Sequence, residues 1–202
     1  MAFANDNFTD ANGTNLSAHT SDSLHTWTQN NGSAVLINNN TIYSGQTTEG
    51  GFYYTSAISS GAEYDVQIDV TVGNSADVVL GPAGRIATGA NTGYGVVCNG
   101  GSWRLYEVIG GTETSIGSYS GDSPTTTKTV LLQIRNATKK VFINGVERIS
   151  SANNNITDAG RAGIFTYYTD ASASRYADNW SASNVAATAV TGPFPTFRPD
   201  IA

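Results

Sequence analysis

Residues 127–151, "TKTVLLQIRNATKKVFINGVERISS", hold the pattern that decides the fold class of this 202-residue chain. Apolar and polar residues alternate through three short runs, and this period of two is typical of half-buried β-strands. Two tight turns separate the runs, the first at residues 135–138 and the second at Asn144-Gly145. An Asn-Gly pair readily takes the positive φ angles of a type I′ turn. The stretch therefore predicts two consecutive antiparallel hairpins.

The same alternation recurs along the chain. Residues 63–72, "EYDVQIDVTV", alternate strictly, which predicts a strand with one face in water. Residues 102–120 are interpreted as two strands joined by a Gly110-Gly111 turn. Residues 81–93, "GPAGRIATGANTG", are interpreted as a long Gly-rich loop between strands. Because no stretch combines a 3.6-residue period with helix caps, and turn signals recur about every ten residues, we predict an all-β fold, either a sandwich or a barrel.

Composition narrows the function classes. The formal net charge is −6 and the ten basic residues are scattered, which argues against binding of nucleic acid or of an anionic membrane. No run is long and apolar enough to span a membrane. The only cysteine, Cys98, excludes an internal disulfide, and it is interpreted as a buried apolar side chain rather than as a reactive thiol.

The length fits one domain, and the sequence changes character near its end. We assign residues 1–185 to the sandwich and residues 186–202 to an extended tail, because three of the five prolines lie in the last ten residues. The tail is predicted to dock on a partner subunit or on a second copy, the alternative being that it packs on its own sandwich. The candidate docking residues are Phe194, Pro195, Phe197 and Arg198.

The order of several short motifs resembles the concanavalin A-like lectin/glucanase superfamily, and in particular its laminin G-like members. The likeness covers roughly residues 5–185. Residues 5–16, "NDNFTDANGTNL", are similar to the opening motif of that family. Val141–Gly145 matches its Asn-Gly hairpin, Gly160–Phe165 its "GraGiy" motif and Asp178–Trp180 its closing "DNf" strand.

The resemblance implies an all-β, two-sheet antiparallel jelly-roll sandwich in which the first and last strands are neighbours in one sheet. The echoed segments 6–8 and 178–180 would then lie side by side, each with an aromatic ring in the core. Simple alternation places Asp6 on the face of Phe8 and Asp178 on the face of Trp180. An aspartate on an inward face needs hydrogen-bond donors, which we expect from backbone N–H groups of a nearby loop.

Glucanases of the superfamily carry two catalytic carboxylates on one strand face, in Glu-x-Asp-x-Glu or Glu-x-Asp-x-x-Glu spacing. Glu63 and Asp65 match the first two positions here, but Gln67 or Ile68 stands where the second Glu should be. Gln transfers no proton, and Asp69 lies one further step along the strand. We therefore predict a solvated strand face and no catalysis. His19 and His25 show no metal-ligand spacing either.

Two kinds of ligand site remain. Aromatic rings that stack on sugars are the first, and the candidates are Trp103, Tyr53, Tyr54, Tyr167 and Tyr168, which serve a protein interface equally well. Calcium is the second, as the resemblance implies. Its candidate ligands are Asp10, Asn12 and Asn15, which equally suit a hydrogen-bonded Asx turn.

The sequence leaves two functional hypotheses. The first is a non-catalytic structural or decoration protein of a larger assembly, as in bacteriophage virions, which docks by its tail on the virion surface and can also bind glycans. The second is a stand-alone carbohydrate-binding module or degenerate glycosidase, secreted and then freed of a leader. The opening "MAFANDNFTD" has no signal-peptide pattern, which favours the first hypothesis.

Overall fold

The computed structural model describes residues 1–32, 34–44, 50–72, 80–99, 101–122, 125–167 and 175–185, with Val72 and Arg175 described for the backbone alone. These residues form fifteen strands and one 3₁₀ helix, Leu16–Ala18. The strands are β1 Ala2–Asp6, β2 Trp27–Asn30, β3 Val35–Asn38, β4 Thr41–Ser44, β5 Gly51–Thr55, β6 Tyr64–Val72, β7 Leu80–Ile86, β8 Gly93–Asn99, β9 Ser102–Ile109, β10 Thr112–Ser120, β11 Lys128–Arg135, β12 Thr138–Ile143, β13 Val146–Ser151, β14 Arg161–Thr166 and β15 Arg175–Asn184.

The strands form two antiparallel sheets. The eight-stranded sheet has the order β13-β12-β11-β6-β15-β4-β3, with β1 also paired to β15. The seven-stranded sheet has the order β10-β9-β8-β7-β14-β5-β2. The prediction of an all-β, two-sheet antiparallel sandwich is confirmed. No helix among the described residues is long and apolar enough to cross a membrane.

The core lies between the sheets, where the inward side chains of both meet. Trp27 of β2 and Trp180 of β15 contact edge to face, with ring centroids 4.9 Å apart, so that the indoles join the two sheets. Cys98 is buried in the same core, as the sequence predicts. Burial of such aromatic side chains contributes about 1.5–3 kcal/mol each, which makes this layer the main source of stability.

The predicted hairpins are confirmed. Asn144 and Gly145 have φ angles of 49° and 78°, the positive pair of a type I′ turn, between β12 and β13. Gly110 and Gly111 turn between β9 and β10 with φ angles of 57° and 86°. Local turn chemistry therefore sets the register of both hairpins.

The interpretation of residues 81–93 as one long loop is wrong. Residues 80–86 form β7, which is buried along its whole length, and the loop is only residues 87–92. The glycines inside β7 are there for close packing and not for a turn, because a Cβ on Gly81 would collide with the carbonyl oxygen of Val96 on β8. Glycine inside a strand often marks such a close approach of two backbones.

The first and last strands are neighbours, as the resemblance implies, and Asp6 of β1 lies opposite Trp180 of β15. Phe8 and Trp180 are both buried. The prediction that Asp178 shares the face of Trp180 is wrong, because Asn179 has a φ of 52° at a bulge that interrupts the alternation. Asp178 is therefore half-buried while Trp180 is fully covered.

Candidate functional site

The seven-stranded sheet carries a second apolar layer on the face that points away from the core. Its side chains alternate along the strands with those of the main core, so the two sets lie on opposite faces. Its buried members come from β5, β7, β8, β9 and β14, and two tyrosines pack on them. They are Phe52, Ala83, Ile86, Val97, Tyr106, Val108 and Phe165, with Tyr54 and Tyr167.

Tyr167 lies at the edge of this layer. Its ring stacks on Tyr106, with centroids 5.3 Å apart, and meets Phe165 edge to face at 6.2 Å. A hydrogen bond with Tyr106, then burial and the negative charge of Glu113, raise the pKa of the Tyr167 hydroxyl to about 12. The hydroxyl is therefore protonated at any physiological pH and remains a neutral donor and acceptor.

A cavity of about 550 Å³ opens beside this ring, and we call it the tyrosine cavity. Side-chain amides, a carboxylate and exposed turn backbone surround the aromatic ring. The lining residues are Asn31, Gly50, Asn91, Thr112, Glu113 and Tyr167, with the Gly110-Gly111 turn. An aromatic wall with a few convergent polar groups is typical of a small-molecule site.

The loop of residues 87–92 forms one side of the cavity. It connects β7 to β8, yet Asn30 at the end of β2 donates from Nδ2 to the carbonyl oxygen of Ala87 at 2.8 Å. Since β14 and β5 lie between β7 and β2, the loop reaches across both strands. The backbone N–H of Gly111 donates to the carbonyl oxygen of Asn91 at 2.8 Å, so the loop is also bonded to the turn between β9 and β10.

Two polar side chains of the cavity lie in different surroundings. Oδ1 of Asn91 is buried and accepts no hydrogen bond from the described residues. The carboxylate of Glu113 lies against Gly50, where a Cβ would collide with it. A buried acceptor without a donor costs about 1–3 kcal/mol, so a hydroxyl that donates to Asn91 would recover free energy.

A second cavity, of about 430 Å³, lies on the other side of the same loop, and we call it the arginine cavity. Thr92 lines it, whereas the preceding residue, Asn91, lines the tyrosine cavity. It combines two guanidinium groups with hydroxyl groups, one carboxylate and an exposed apolar rim. These residues are Arg85, Arg161, Thr88, Thr92, Asp158 and Ile58.

Buried cations hold the segment of residues 152–160, which runs from β13 to β14 and walls this cavity. Lys139 has no exposed surface, and its Nζ donates to the carbonyl oxygens of Asn153 at 2.7 Å and Asn136 at 3.0 Å. Arg85 is 2% exposed and its Nη1 donates to the carbonyl oxygen of Ile156 at 2.5 Å. The two cations therefore fix this connection from inside the fold.

Burial, with a further contribution from Arg85, lowers the pKa of Lys139 to about 8. Its Nζ also lies 3.4 Å from the carbonyl oxygen of Ala137 and 3.4 Å from Oδ1 of Asn154, so four oxygens surround it in all. The face of the Tyr94 ring lies 4.6 Å from the same atom. At neutral pH the group is an ammonium ion in a cage of acceptors and one aromatic ring.

Several solved structures share this architecture. The carbohydrate-binding module CBM66 from Bacillus subtilis aligns with a TM-score of 0.61 at 14% identity, over 76% of this chain and 91% of that one. The carbohydrate recognition domain of Emp46p, in its potassium-bound form, aligns with a TM-score of 0.56 at 12% identity, over 85% and 95%. The exoplasmic/lumenal domain of VIP36, in a Ca²⁺/Man-bound form, aligns with a TM-score of 0.55 at 8% identity, over 86% and 88%.

The fold is the concanavalin A-like jelly-roll sandwich. At these identities the likeness shows the fold alone, since one sandwich carries many functions. No protein-family model matches the sequence, and no curated protein matches it. None of these three structures is described as a virion protein, so a phage origin remains a prediction.

The predicted aromatic candidates of the sandwich separate into three groups. Tyr167 lines the tyrosine cavity, and Tyr54 is half-buried against the outer aromatic layer. The expectation that Trp103 is exposed is wrong, because its ring is in the main core and its Nε1 donates to the carbonyl oxygen of Asp122 at 3.0 Å. Tyr53 is likewise buried there, and its hydroxyl accepts from the backbone N–H of Val35. Tyr168 lies outside the described residues.

The predicted tail, residues 186–202, also lies outside the described residues, and with it the docking candidates Phe194, Pro195, Phe197 and Arg198. Docking through the tail remains a prediction.

The predicted calcium ligands are hydrogen-bonded within the fold, and the bond of Asn15 is of the Asx kind. Oδ1 of Asp10 accepts from the N–H of Ala11, and its Oδ2 lies 3.1 Å from Nδ1 of His19. Asn12 accepts from the N–H of Asn39, and Asn15 caps the 3₁₀ helix. In the described ranges, no group of three or more His, Cys, Asp or Glu residues could hold a metal ion. The side-chain oxygens of these residues thus serve the local loop structure, and calcium binding would have to displace their hydrogen bonds.

The carboxylates of β6 lie on one half-exposed face, as the alternation predicts. Asp65 pairs with Nη2 of Arg135 at 2.7 Å. Asp69 accepts from the hydroxyl of Thr129 at 2.6 Å and from Nδ2 of Asn179 at 3.0 Å. These contacts give both groups a structural partner on the sheet that lies away from the two cavities.

The sequence analysis missed Asn31, Asn91 and Glu113, which line the tyrosine cavity with Tyr167. The position of Glu113 could have been predicted locally, since it follows the Gly110-Gly111 turn at the start of an edge strand. Asn91 had none, because its position depends on a loop that crosses two strands.

Proposed function

We propose that this protein is a non-catalytic carbohydrate-binding domain and that the tyrosine cavity is its sugar site. The observation that carries the proposal is that Tyr167 and Asn91 line the same open cavity, and that Oδ1 of Asn91 accepts no hydrogen bond from the described residues. The names of two similar structures, a carbohydrate-binding module and a carbohydrate recognition domain, support the same class.

The chemistry of the cavity suits a neutral sugar. Sugar rings offer an apolar face of C–H groups that packs on an aromatic ring, and hydroxyls that donate and accept around it. Asn91 offers an acceptor and Glu113 a carboxylate to hydroxyl donors. The Gly110-Gly111 turn lies in the same wall, and its two N–H groups donate to Thr92 and Asn91. Amides, a carboxylate and backbone thus surround one ring.

The test is a glycan array with the full-length protein, followed by calorimetry on the sugars that bind. Tyr167→Ala removes the stacking surface, and we expect it to weaken binding by about tenfold or more, which corresponds to about 1.4 kcal/mol. Asn91→Ala removes the unpartnered acceptor at little cost to the fold, and we expect a similar loss. Absence of binding to every sugar of the array would overturn the proposal.

The matched control is Tyr176→Ala. Tyr176 is 38% exposed and lies on β15, in the other sheet. Its removal takes away an exposed tyrosine while leaving the cavity intact. If Tyr176→Ala weakens binding as much as Tyr167→Ala does, the sugar site is not in the tyrosine cavity.

A role in a larger assembly, with docking through residues 186–202, is the second candidate. The proline pattern and apolar side chains of the tail favour it, and it is compatible with sugar binding. Deletion of residues 187–202 should abolish association while the sandwich stays folded, as measured by light scattering and circular dichroism. Unchanged association after the deletion would exclude docking through the tail.

A further inference from the structure

We propose that the arginine cavity is a second binding site, for the carboxylate of an acidic sugar such as a uronate. The carboxylate would pair with the guanidinium group of Arg161, with the buried positive charge of Arg85 behind it, and the sugar hydroxyls would meet Thr88, Thr92 and Asp158. The proposal takes its sugar class from the proposed function, whereas the preference for an acid comes from this cavity alone.

Arg85 gives the first reason. The side chain is 2% exposed, and its Nε is buried and donates no hydrogen bond to the described residues. The other two nitrogens are held by the carbonyl oxygens of Ile156 and Ala62, at 2.5 Å and 3.4 Å. A buried charge without a counter-ion is costly, and an incoming anion lowers that cost.

Arg161 gives the second reason. Its Nη1 donates to the carbonyl oxygens of Ser56 at 2.9 Å and Ala57 at 3.3 Å, which fixes the plane of the guanidinium group. Its Nε and Nη2 donate no hydrogen bond to the described residues. A fixed guanidinium edge with two free donors has the geometry that binds both oxygens of one carboxylate.

Charge distribution gives the third reason. The chain has sixteen acidic and ten basic residues, so its overall field repels anions. Ion pairs of the described residues use His19, Arg135, Lys140 and Arg148, and leave Arg85 and Arg161 without a carboxylate. The cavity holds two positive groups against the single negative charge of Asp158.

Asp158 decides which anion fits. A sulfate group offers only acceptors, so Asp158 would repel it. A uronate carries one carboxylate for the arginines and several hydroxyls that can donate to Asp158 and to the threonines. The mixture of cations, one anion and hydroxyls thus favours an acidic sugar over an inorganic anion.

The two cavities lie on either side of the loop of residues 87–92. Asn91 and Thr92 are consecutive, and each lines a different cavity. One oligosaccharide could therefore place a neutral unit on Tyr167 and an acidic unit on Arg161. Joining two weak sites on one ligand raises affinity without new contacts.

The test is residue-resolved NMR of the ¹⁵N-labelled full-length protein with glucuronate and galacturonate, and with glucose and galactose as neutral matches. We expect the uronates to shift the amides of residues 87–88 and 158–161. Arg161→Gln should weaken the uronate affinity obtained from these shifts by about tenfold, the loss expected when a charged pair is removed. Arg161→Lys keeps the positive charge but loses the two parallel donors of the guanidinium group. Its affinity for uronates should therefore lie between those of wild type and Arg161→Gln.

The outcomes separate the two proposals. Uronate shifts at 158–161 that are unchanged in Arg161→Gln, or matched by inorganic sulfate, would overturn the acidic-sugar site. No uronate response there, with sugars still bound at residues 110–113, would overturn it and leave the proposed function in place. A uronate response at 158–161 with none near Tyr167 for any sugar would support this site and count against the tyrosine cavity. No response to any sugar would overturn both.

Discussion

Nε2 of His19 lies 3.0 Å from Oδ1 of Asp6, a carboxylate with no exposed surface. Nδ1 of the same imidazole lies 3.1 Å from Oδ2 of Asp10, and Nε1 of Trp27 donates to Oδ2 of Asp6 at 2.7 Å. The expected backbone donors to Asp6 are thus replaced in part by two side chains, although the N–H of Phe8 also donates. The network ties the first strand to the core.

The His19 pair makes stability depend on pH. Burial opposes the charged form, but the hydrogen bonds to Asp6 and Asp10 outweigh it, so the pKa of His19 is raised. Its contribution is complete below the unfolded pKa of about 6.5 and is lost as the pH rises through the higher folded value. We expect urea denaturation to give a smaller free energy of unfolding at about pH 7.5 than at about pH 5.5, a range in which Lys139 stays mostly protonated.

The control for that dependence is a pair of variants. His19→Gln should remove it, whereas His25→Gln should keep it, because no ion pair of the described residues involves His25. If the free energy of unfolding depends on pH equally in wild type and in His19→Gln, protonation of His19 does not contribute to stability.

Two adjacent lysines should behave differently. Lys139→Met leaves the part-buried carbonyl oxygens of Asn136 and Asn153 without this donor, at up to about 1–3 kcal/mol for each group. Lys140 pairs with Glu147 at the surface, so Lys140→Met should cost less than about 1 kcal/mol. The measurement is the free energy of unfolding of both variants, and equal costs would contradict the account of the buried cation.

Trp103→Ala should act on stability and not on a ligand. The ring is 1% exposed in the main core, so its removal should lower the free energy of unfolding by about 3–5 kcal/mol. Any remaining folded protein should bind sugars with wild-type affinity, as calorimetry corrected for the folded fraction would show. A loss of sugar affinity in a variant that stays folded would instead support the prediction that Trp103 binds the sugar.

Gly81→Ala should disrupt the pairing of β7 with β8, because the added methyl group would meet the carbonyl oxygen of Val96. Gly89→Ala is the matched control. Gly89 has a φ of 77° and open space around it, so the substitution should cost only about 1–2 kcal/mol of backbone strain. Thermal unfolding of both variants compares the two effects, and a smaller loss for Gly81→Ala would show that the strands can separate slightly.

Local patterns in the sequence predict the strands and hairpins well. Asn144-Gly145 and Gly110-Gly111 dictate their turns by backbone chemistry alone, and the alternation of β6 identifies its two faces. The burial of Lys139 also had a signal, since it alternates with Val141 and Ile143 on the inward face of β12.

Long-range geometry explains what the sequence did not predict. Alternation assigns Tyr53 and Trp103 to a face but does not tell which face another sheet covers. The bulge at Asn179 adds one residue to β15 and reverses the faces after it, with no local signal. The tyrosine cavity depends on a loop that crosses two strands, a contact that only the complete sheet order determines.

The ammonium group of Lys139 has a consequence for the environments that the protein can tolerate. This chain has a single cysteine and so no internal disulfide, and its connection from one sheet to the other is fixed by a positive charge that belongs to the polypeptide. Unlike a disulfide bond, this cross-link cannot be reduced by thiols, and unlike a bound metal ion, it cannot be removed by chelators or by dilution. The wall of the arginine cavity should therefore keep its shape in reducing and ion-poor media alike.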